Sequence, residues 1–189
     1  MTRAHEFLWI DLETTGLLTS ARVLEWAVVL AADARGDDLG AVDSFSSVVQ
    51  CPDVDRIIEE GARKLHERNG LLDEVRSATT TLSESDEFLA GIATQLSPRG
   101  GIVLAGASVH FDRRFVDVHL PRFAKQLSHR LFDVSTLKRA VEAWAPEPPT
   151  WAPRTQHRAL PDILATIEDA RIARAVMGWS DAAVAKGAR

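Results

Sequence analysis

The order of apolar and polar residues along the chain predicts strands first and then strands that alternate with helices. A short apolar run over residues 7–10 is typical of a buried strand that ends at Asp11, and Thr14-Thr15-Gly16 then turns the chain. An apolar run over residues 23–32 and an imperfectly alternating stretch over residues 42–50, separated by a polar turn, predict two more strands. These three strands are expected to form an antiparallel meander.

The rest of the chain mixes strand and helix patterns. The predicted elements are, in order, helices over residues 56–60, 62–67 and 82–96, a strand over 102–107, a helix over 111–119, a strand over 131–134, and helices over 135–144 and 160–176. Ser83 or Ser85 is expected to cap the third helix. Four prolines between residues 145 and 156 predict a loop. The pattern indicates an α/β or α+β three-layer fold.

Core positions follow from the same periodicity. Buried faces are predicted for the last two helices, formed by Leu137, Val141 and Trp144 in the first and by Ile163, Ile167 and Ala170 in the second. The tryptophans at apolar positions are also assigned to the core, namely Trp9, Trp26, Trp144 and Trp179.

Composition narrows the class of protein. The 189 residues are 46% hydrophobic and 26% charged, which favours one globular domain over residues 1–179 with a fraying tail over 180–189. The lone Cys51 cannot form an internal disulfide. The sequence shows no secretory signal and no membrane-spanning run, so we expect a cytoplasmic protein that does not associate with a membrane. A net charge of −5 favours short oligonucleotides over long nucleic acid as a substrate.

Two acids, Asp11 and Glu13, stand one residue apart at the end of the first strand. Alternate strand residues project to one face, so the carboxylates repel each other unless a cation joins them. Isolated acids at this spacing are common on surfaces. A preceding apolar strand and a following Thr-Thr-Gly favour a divalent metal site, and carboxylate oxygens suit Mg²⁺ or Mn²⁺.

Two more acids and a histidine complete the candidate site. Asp112 and Asp162 each lie in the first turn of a predicted helix, where an acid also stabilises the helix dipole without any ligand. His157 stands at the exit of the proline-rich loop, five residues before Asp162, which suits a general base as well as an ordinary loop histidine. His110 is interpreted as a solvated histidine. Together the four acids and His157 predict two-metal phosphodiester hydrolysis.

Two further residues have competing interpretations. Trp151 in the loop could stack on a base or simply pack against the protein. Glu25, inside an apolar strand, is interpreted as a hydrogen-bonded structural acid or a neighbour of the metal ligands, in preference to a ligand.

Three stretches of the chain form a set of motifs: Trp9-Ile10-Asp11-Leu12-Glu13-Thr14-Thr15-Gly16-Leu17, Gly106-Ala107-Ser108-Val109-His110-Phe111-Asp112-Arg113-Arg114-Phe115 and His157-Arg158-Ala159-Leu160-Pro161-Asp162-Ile163. Together they resemble the motifs of the DEDDh group of 3′→5′ exonucleases. Within that group the string Phe132-Asp133-Val134-Ser135-Thr136-Leu137-Lys138, with Arg130 before it and Trp144 after it, is similar to oligoribonucleases.

The resemblance implies a ribonuclease H-like three-layer α/β fold, with a central mixed five-stranded sheet flanked by helices. It implies a homodimer that uses two Mg²⁺ or Mn²⁺ ions to release nucleoside monophosphates from short single-stranded RNA. Its site residues would be the metal ligands Asp11, Glu13, Asp112 and Asp162, the general base His157, the base wedge Leu17, and the phosphate-binding Ser108, Arg130 and Ser135.

Three positions depart from the oligoribonuclease pattern. Gly61 stands where those enzymes carry an aromatic residue, His129 replaces a tyrosine, and Thr14 replaces a methionine. These differences predict a weaker preference for dinucleotides with the chemistry retained. The alternatives are a DEDDh exonuclease for single-stranded DNA or structured RNA ends, and a nucleotide-binding module without turnover.

Overall fold

A computed structural model describes residues 7–31, 41–97, 99–153 and 156–178. The strands are β1 (Phe7–Thr14), β2 (Val23–Ala31), β3 (Ala41–Val48), β4 (Ile102–Gly106) and β5 (Leu127–Asp133). The helices are α1 (Val54–Ile57), α2 (Glu60–Arg68), α3 (Leu71–Ser77), α4 (Leu82–Leu96), α5 (His110–His119), α6 (Pro121–Ala124), α7 (Val134–Trp144) and α8 (Ala159–Val176).

The five strands form one mixed sheet in the order β3-β2-β1-β4-β5. The first three pair antiparallel, as the hydrophobic pattern predicts, and β4 and β5 run parallel to β1. Strand β5 begins at Leu127, earlier than the predicted strand over 131–134. Residues 128–130 are polar and lie on the outermost strand, where exposed side chains give no apolar signal.

Helices cover both faces of the sheet. Leu8 and Ile10 of β1 pack with α4 and α5 on one face, while Trp9 packs with Ile163 and Ile167 of α8 on the other. The alternation of side chains along β1 therefore divides the protein into two cores. A third cluster joins Leu24 to the short helices α1 and α3. This is the predicted three-layer arrangement.

A close approach at the end of β4 explains one glycine. A Cβ atom on Gly106 would lie 2.8 Å from the carbonyl oxygen of Ile10, nearer than side chains normally come to backbone. Glycine thus lets β4 end tightly beside β1, next to Asp11, and the chain then turns into α5.

Several local predictions need correction. Thr81, not Ser83 or Ser85, caps α4, since its hydroxyl accepts from the Glu84 N–H and the Glu84 carboxylate accepts from the Thr81 N–H. Helices α3 and α6 were not predicted.

Most of the core predictions hold, although Leu137 is only partly buried. Trp9, Trp26, Ile163, Ile167 and Ala170 are buried, as predicted. Trp144 is 82% exposed at the end of α7, so its assignment to the core is wrong. Trp179 and the tail over 180–189 lie outside the described residues. In the part of the chain that the structure describes, no helix is long and apolar enough to cross a membrane.

Candidate active site

Three of the predicted acids meet at the carboxyl end of β1. Asp11 and Glu13 alternate with the buried Leu12 and so project toward the face that α8 covers. Asp162 lies in the first turn of α8. One carboxylate oxygen from each of these three acids lies within 4.8 Å of the others. Such oxygen-rich clusters fit a hard divalent cation.

Asp112 stands beside this group, not among the three. It is buried in the first turn of α5, and its Oδ1 accepts a hydrogen bond of 3.0 Å from the N–H of Leu12, between the other two acids. Burial raises the pKa of Asp112 to about 7, against the lowering effect of backbone hydrogen bonds. The hydrogen bond fixes α5 against the strand that carries Asp11 and Glu13.

The negative charges of the clustered acids repel one another, and a bound positive charge would reduce this repulsion. Burial raises the pKa of Glu13 to about 8, and the negative charges of Asp162, Glu25 and Asp112 raise it further. Arg158 opposes this effect without cancelling it. A carboxyl group that resists ionisation among other carboxylates is the arrangement that a bound cation stabilises.

We expect the metal-free protein to lose stability as the pH rises from about 4.5 to about 8, relative to a Glu13→Gln variant. In this range the folded Glu13 binds a proton that the unfolded chain has released, because its folded pKa is the higher one. Rising pH therefore favours unfolding. Melting temperatures in chelator should fall more steeply with pH in the wild type than in the variant, which keeps the raised pKa of Asp112, and excess Mg²⁺ should reverse the slope. Parallel profiles in chelator would contradict the interpretation.

His157 is exposed and lies two residues before α8, the helix whose first turn carries Asp162, and we refer to this position as the rim of the cluster. Its backbone adopts a left-handed conformation with φ of 47°, which is uncommon outside glycine. The residue lines an open cavity of about 450 Å³, together with Leu65, Arg68, Asn69, Gln156 and Arg158. A group of the size of a mononucleotide therefore has room beside the histidine.

Glu25 and Arg158 connect this rim to the acids. Glu25 is buried on β2 directly opposite Glu13, and both of its oxygens accept hydrogen bonds from the Arg158 guanidinium. It also accepts from the N–H of Ala159, at the start of α8. The interpretation of Glu25 as a hydrogen-bonded acid next to the ligands agrees with these contacts.

His66 is a residue of the site that the sequence did not reveal. It is only 1% exposed on α2, with Nε2 3.1 Å from the carbonyl oxygen of Thr14 and 3.8 Å from Oε2 of Glu13. Burial lowers its pKa, which favours the neutral ring. Its position in a helix of mixed polarity gave no signal, because the contact joins residues 52 positions apart.

The residues assigned to substrate divide into two groups. Ser108 and Ser135 lie together, with their hydroxyl oxygens 3.1 Å apart, and the Ser108 N–H donates to both Ser135 Oγ and Asp133 Oδ1. Arg130 is exposed on the outermost strand and, among the described residues, makes no hydrogen bond to either serine. Leu17 is 69% exposed after β1, where an apolar side chain can contact a base.

The departures from the oligoribonuclease pattern also have clear positions. Gly61 is exposed in the first turn of α2, and a Cβ atom there would meet nothing within 4 Å. Thr14 is buried and donates its hydroxyl to the carbonyl of Gly16, so it braces the turn. His129 is exposed on β5.

Trp151 is attached to α7. Its Nε1 donates to Glu142, and the Lys138 ammonium lies 4.7 Å from the ring centre. These contacts favour the packing interpretation of Trp151 over base stacking.

Known proteins match nearly the whole chain. A family model described as exonuclease matches residues 8–169. Over 177 residues the chain is 33% identical to mitochondrial oligoribonuclease of Mus musculus. This alignment covers 90% of this chain and 73% of that protein. It is 31% identical over 173 residues to oligoribonuclease of Neisseria meningitidis serogroup B, covering 90% of this chain and 91% of that protein.

Solved structures share the fold at lower identity. E. coli exonuclease I in complex with a 5cy-dA13 oligonucleotide matches with a TM-score of 0.67 at 18% identity, covering 89% of this chain and 40% of that one. Exonuclease I of Methylocaldum szegediense gives a TM-score of 0.67 at 21% identity over 89% of this chain and 40% of that chain. The ribonuclease H-like α/β fold with its mixed five-stranded sheet is confirmed. The chain belongs to the exonuclease family, as an oligoribonuclease-like member of its DEDDh group.

Proposed function

We propose that the chain is a metal-dependent 3′→5′ exonuclease that hydrolyses short RNA to nucleoside 5′-monophosphates. The observation that carries this proposal is the meeting of Asp11, Glu13 and Asp162 within 4.8 Å, in a chain whose relatives are oligoribonucleases. The raised pKa of Glu13 supports a cation at this place. The lone Cys51, buried and free, fits a reducing compartment, and we place the protein in the cytoplasm as one domain over residues 1–179.

The four acids would hold two divalent cations, Mg²⁺ or Mn²⁺, with Asp112 joining the three clustered acids. Such ions lower the pKa of an attacking water and stabilise the charge on a leaving 3′-oxygen. His157, exposed at the rim, would accept the proton of that water. Leu17 would separate the terminal bases, and the paired hydroxyls of Ser108 and Ser135 would bind the 5′-side phosphate with Arg130.

The deciding experiment measures mononucleotide release from a labelled RNA dinucleotide, a longer RNA and a DNA oligomer, each with Mg²⁺, with Mn²⁺ and with chelator. Metal-dependent release of 5′-monophosphates from short RNA is expected. Faster release from DNA or from long RNA would favour the alternative of a DEDDh exonuclease that acts on single-stranded DNA or structured RNA ends. Binding of these oligomers without any release would favour a nucleotide-binding module.

We also propose a homodimer in which Arg130 reaches the partner's phosphate site. Among the described residues strand β5 has a neighbouring strand on one side only, so its outer edge offers backbone groups to a second chain. Arg130 points to solvent on that strand, and Trp144 exposes 82% of its surface on the helix that follows. Large exposed aromatic side chains are enriched in protein interfaces.

Sedimentation at micromolar concentration should give a dimer, and Trp144→Glu should shift it toward monomer because a charge replaces the exposed ring. Leu164→Glu is the matched control, since Leu164 is 46% exposed on α8. Dilution into monomer should reduce turnover if Arg130 acts across the interface. A fully active monomer at micromolar concentration would contradict the proposal.

A further prediction concerns substrate length. We expect the wild type to favour dinucleotides over RNAs of four to seven residues only weakly, because Gly61 offers no ring on which a base can stack. Gly61→Trp should raise kcat/KM on the dinucleotide by roughly 5- to 150-fold, which is the value of one stacking contact. The space around Gly61 admits the larger side chain.

The control for this experiment is Gly91→Trp. Gly91 is also helical, exposed and free of neighbours around an added Cβ atom, but it lies on α4, which packs on the opposite face of the sheet from α8. The length series should include wild type and both variants on labelled RNAs from two to seven nucleotides. A steep wild-type preference for the dinucleotide that neither variant changes would show that the missing ring does not set length selectivity.

A further inference from the structure

Ala152 and Arg158, which lie on either side of His157 in the chain, are both held by contacts to packed elements. On the N-terminal side of His157 the N–H of Ala152 donates to Oδ1 of Asp169 at 2.8 Å, and the ammonium of Lys138 contacts Oδ2 at 2.6 Å. Asp169 is completely buried on α8, and Lys138 lies on α7. A buried carboxylate with a charged partner is costly to disturb, so this attachment is firm.

The C-terminal attachment is stronger and lies next to the acids. Arg158 donates to both oxygens of Glu25 at 2.9 to 3.2 Å and to both oxygens of Glu74 at 2.8 Å. A guanidinium shared by two carboxylates in this paired geometry has little freedom. Glu25 lies opposite Glu13 on the sheet. The Arg158 side chain therefore fixes the backbone next to His157 to strands β1 and β2.

Asn69 provides a third contact, at His157 itself. Its Nδ2 donates to the carbonyl oxygens of His157 and Gln156, while its Oδ1 accepts from the N–H of Leu71 at 3.1 Å. The left-handed backbone of His157 is unfavourable for a non-glycine residue and persists where surrounding contacts determine it. The amide of Asn69 is such a contact, because it binds the carbonyls on either side of that dihedral.

We propose that Asn69 and Arg158 are positioning residues that hold His157 in its left-handed conformation at the rim of the acid cluster. The inference rests on the proposed function, since it assigns their effect to the histidine that would accept the water proton. Both side chains also line the cavity beside His157, but the positioning effect does not require either of them to bind the substrate. The effect of Asn69 should pass through His157 and disappear when His157 is absent, whereas Arg158 also acts on Glu13 through its charge.

Asn69→Asp is the sharpest variant, because it keeps the oxygen that accepts from Leu71 and removes the donor to His157. We expect kcat to fall by roughly 10- to 100-fold, as for a reacting group displaced by about 1 Å. Mn²⁺ affinity should stay near the wild-type value, and KM should change less than kcat even though Asn69 lines the cavity. Arg158→Lys keeps the charge without the paired geometry and should also lower kcat. Lys64 is exposed on α2, the helix that Asn69 follows directly. Lys64→Ala should change none of these properties.

A double-mutant cycle tests the route of the effect. In a His157→Asn background, Asn69→Asp should cause no further loss, whereas a general structural role would give the same loss in both backgrounds. An undiminished loss in that background, or an unchanged kcat in the single variant, would overturn the proposal.

A measurement without catalysis separates this inference from the proposed function. The ring proton resonance of His157 in the NMR spectrum should move and sharpen in Asn69→Asp, because the freed backbone samples several conformations. Wild-type protein that fails to hydrolyse RNA with metal would reject the proposed function and leave this spectral test intact. An unchanged resonance would reject the positioning role of Asn69 even if the enzyme is active.

Discussion

Replacing any one of Asp11, Glu13, Asp112 or Asp162 with Ala should abolish hydrolysis and leave the fold largely intact. A metal ion supplies several kcal/mol of transition-state stabilisation, so loss of one ligand that misplaces it should cost about 10³-fold or more in turnover. One carboxylate oxygen from each of three of these acids lies within 4.8 Å of the others, so a single bound cation would contact all three. The measurement is kcat on a labelled RNA dinucleotide with saturating Mg²⁺.

Glu13 offers the clearest control for this prediction. Its pKa of about 8 shows that the folded protein holds the ionised carboxyl at a cost, so Glu13→Gln should lose activity and yet melt at a higher temperature in chelator. Glu60→Gln, at an exposed acid on α2, should change neither property. Loss of activity together with gain of stability is expected of a functional acid and not of a structural one.

Asp112 requires a different control, because it also fixes the N–H of Leu12. Asp112→Asn can keep an acceptor for that donor, whereas Asp112→Ala leaves the donor buried without a partner and should lower stability. Both variants should be inactive. A variant of any of the four acids that retains near-normal turnover in Mg²⁺ would remove that residue from the site.

The sequence predicted the acids because their signal is local. Asp11 and Glu13 follow an apolar strand at a spacing of two, and this spacing fixes a common face whatever surrounds it. Asp112 and Asp162 are marked by the helices that begin around them. The structure then brings Asp11, Glu13 and Asp162 into one cluster and leaves Asp112 beside it.

The residues that the sequence missed act over long separations. His66 contacts Thr14 across 52 positions, and Asn69 contacts His157 across 88. Neither has a periodic pattern that marks it, because the contact exists only once the helices have packed. Strand β5 was underestimated for a related reason: an edge strand tolerates polar residues, so its pattern resembles a loop.

Trp144 shows how periodicity misleads at a surface. It follows the buried Val141 at helical spacing, but it is the last residue of α7 and is exposed. The pattern identifies a face and does not tell whether a neighbour in the same chain covers that face.

His157→Asn should lower turnover by roughly 10² or more, which is the usual contribution of a general base, and should leave metal binding mostly unchanged. Asn suits this test because it tolerates the left-handed backbone that the structure shows at φ of 47°. The variant thus removes the base and retains the path of the loop. Mn²⁺ affinity, measured by titration, separates loss of the base from loss of the metal.

His157→Gly makes the prediction more specific. Glycine adopts the same dihedral without strain, and the missing ring leaves space at the rim where His157 is exposed. Added imidazole should then restore part of the activity, because a free base can accept the proton that the side chain would accept. His157→Asn should respond less, since its side chain occupies some of that space. A small loss in both variants, or a loss that follows weakened Mn²⁺ binding alone, would contradict the assignment of His157 as the base.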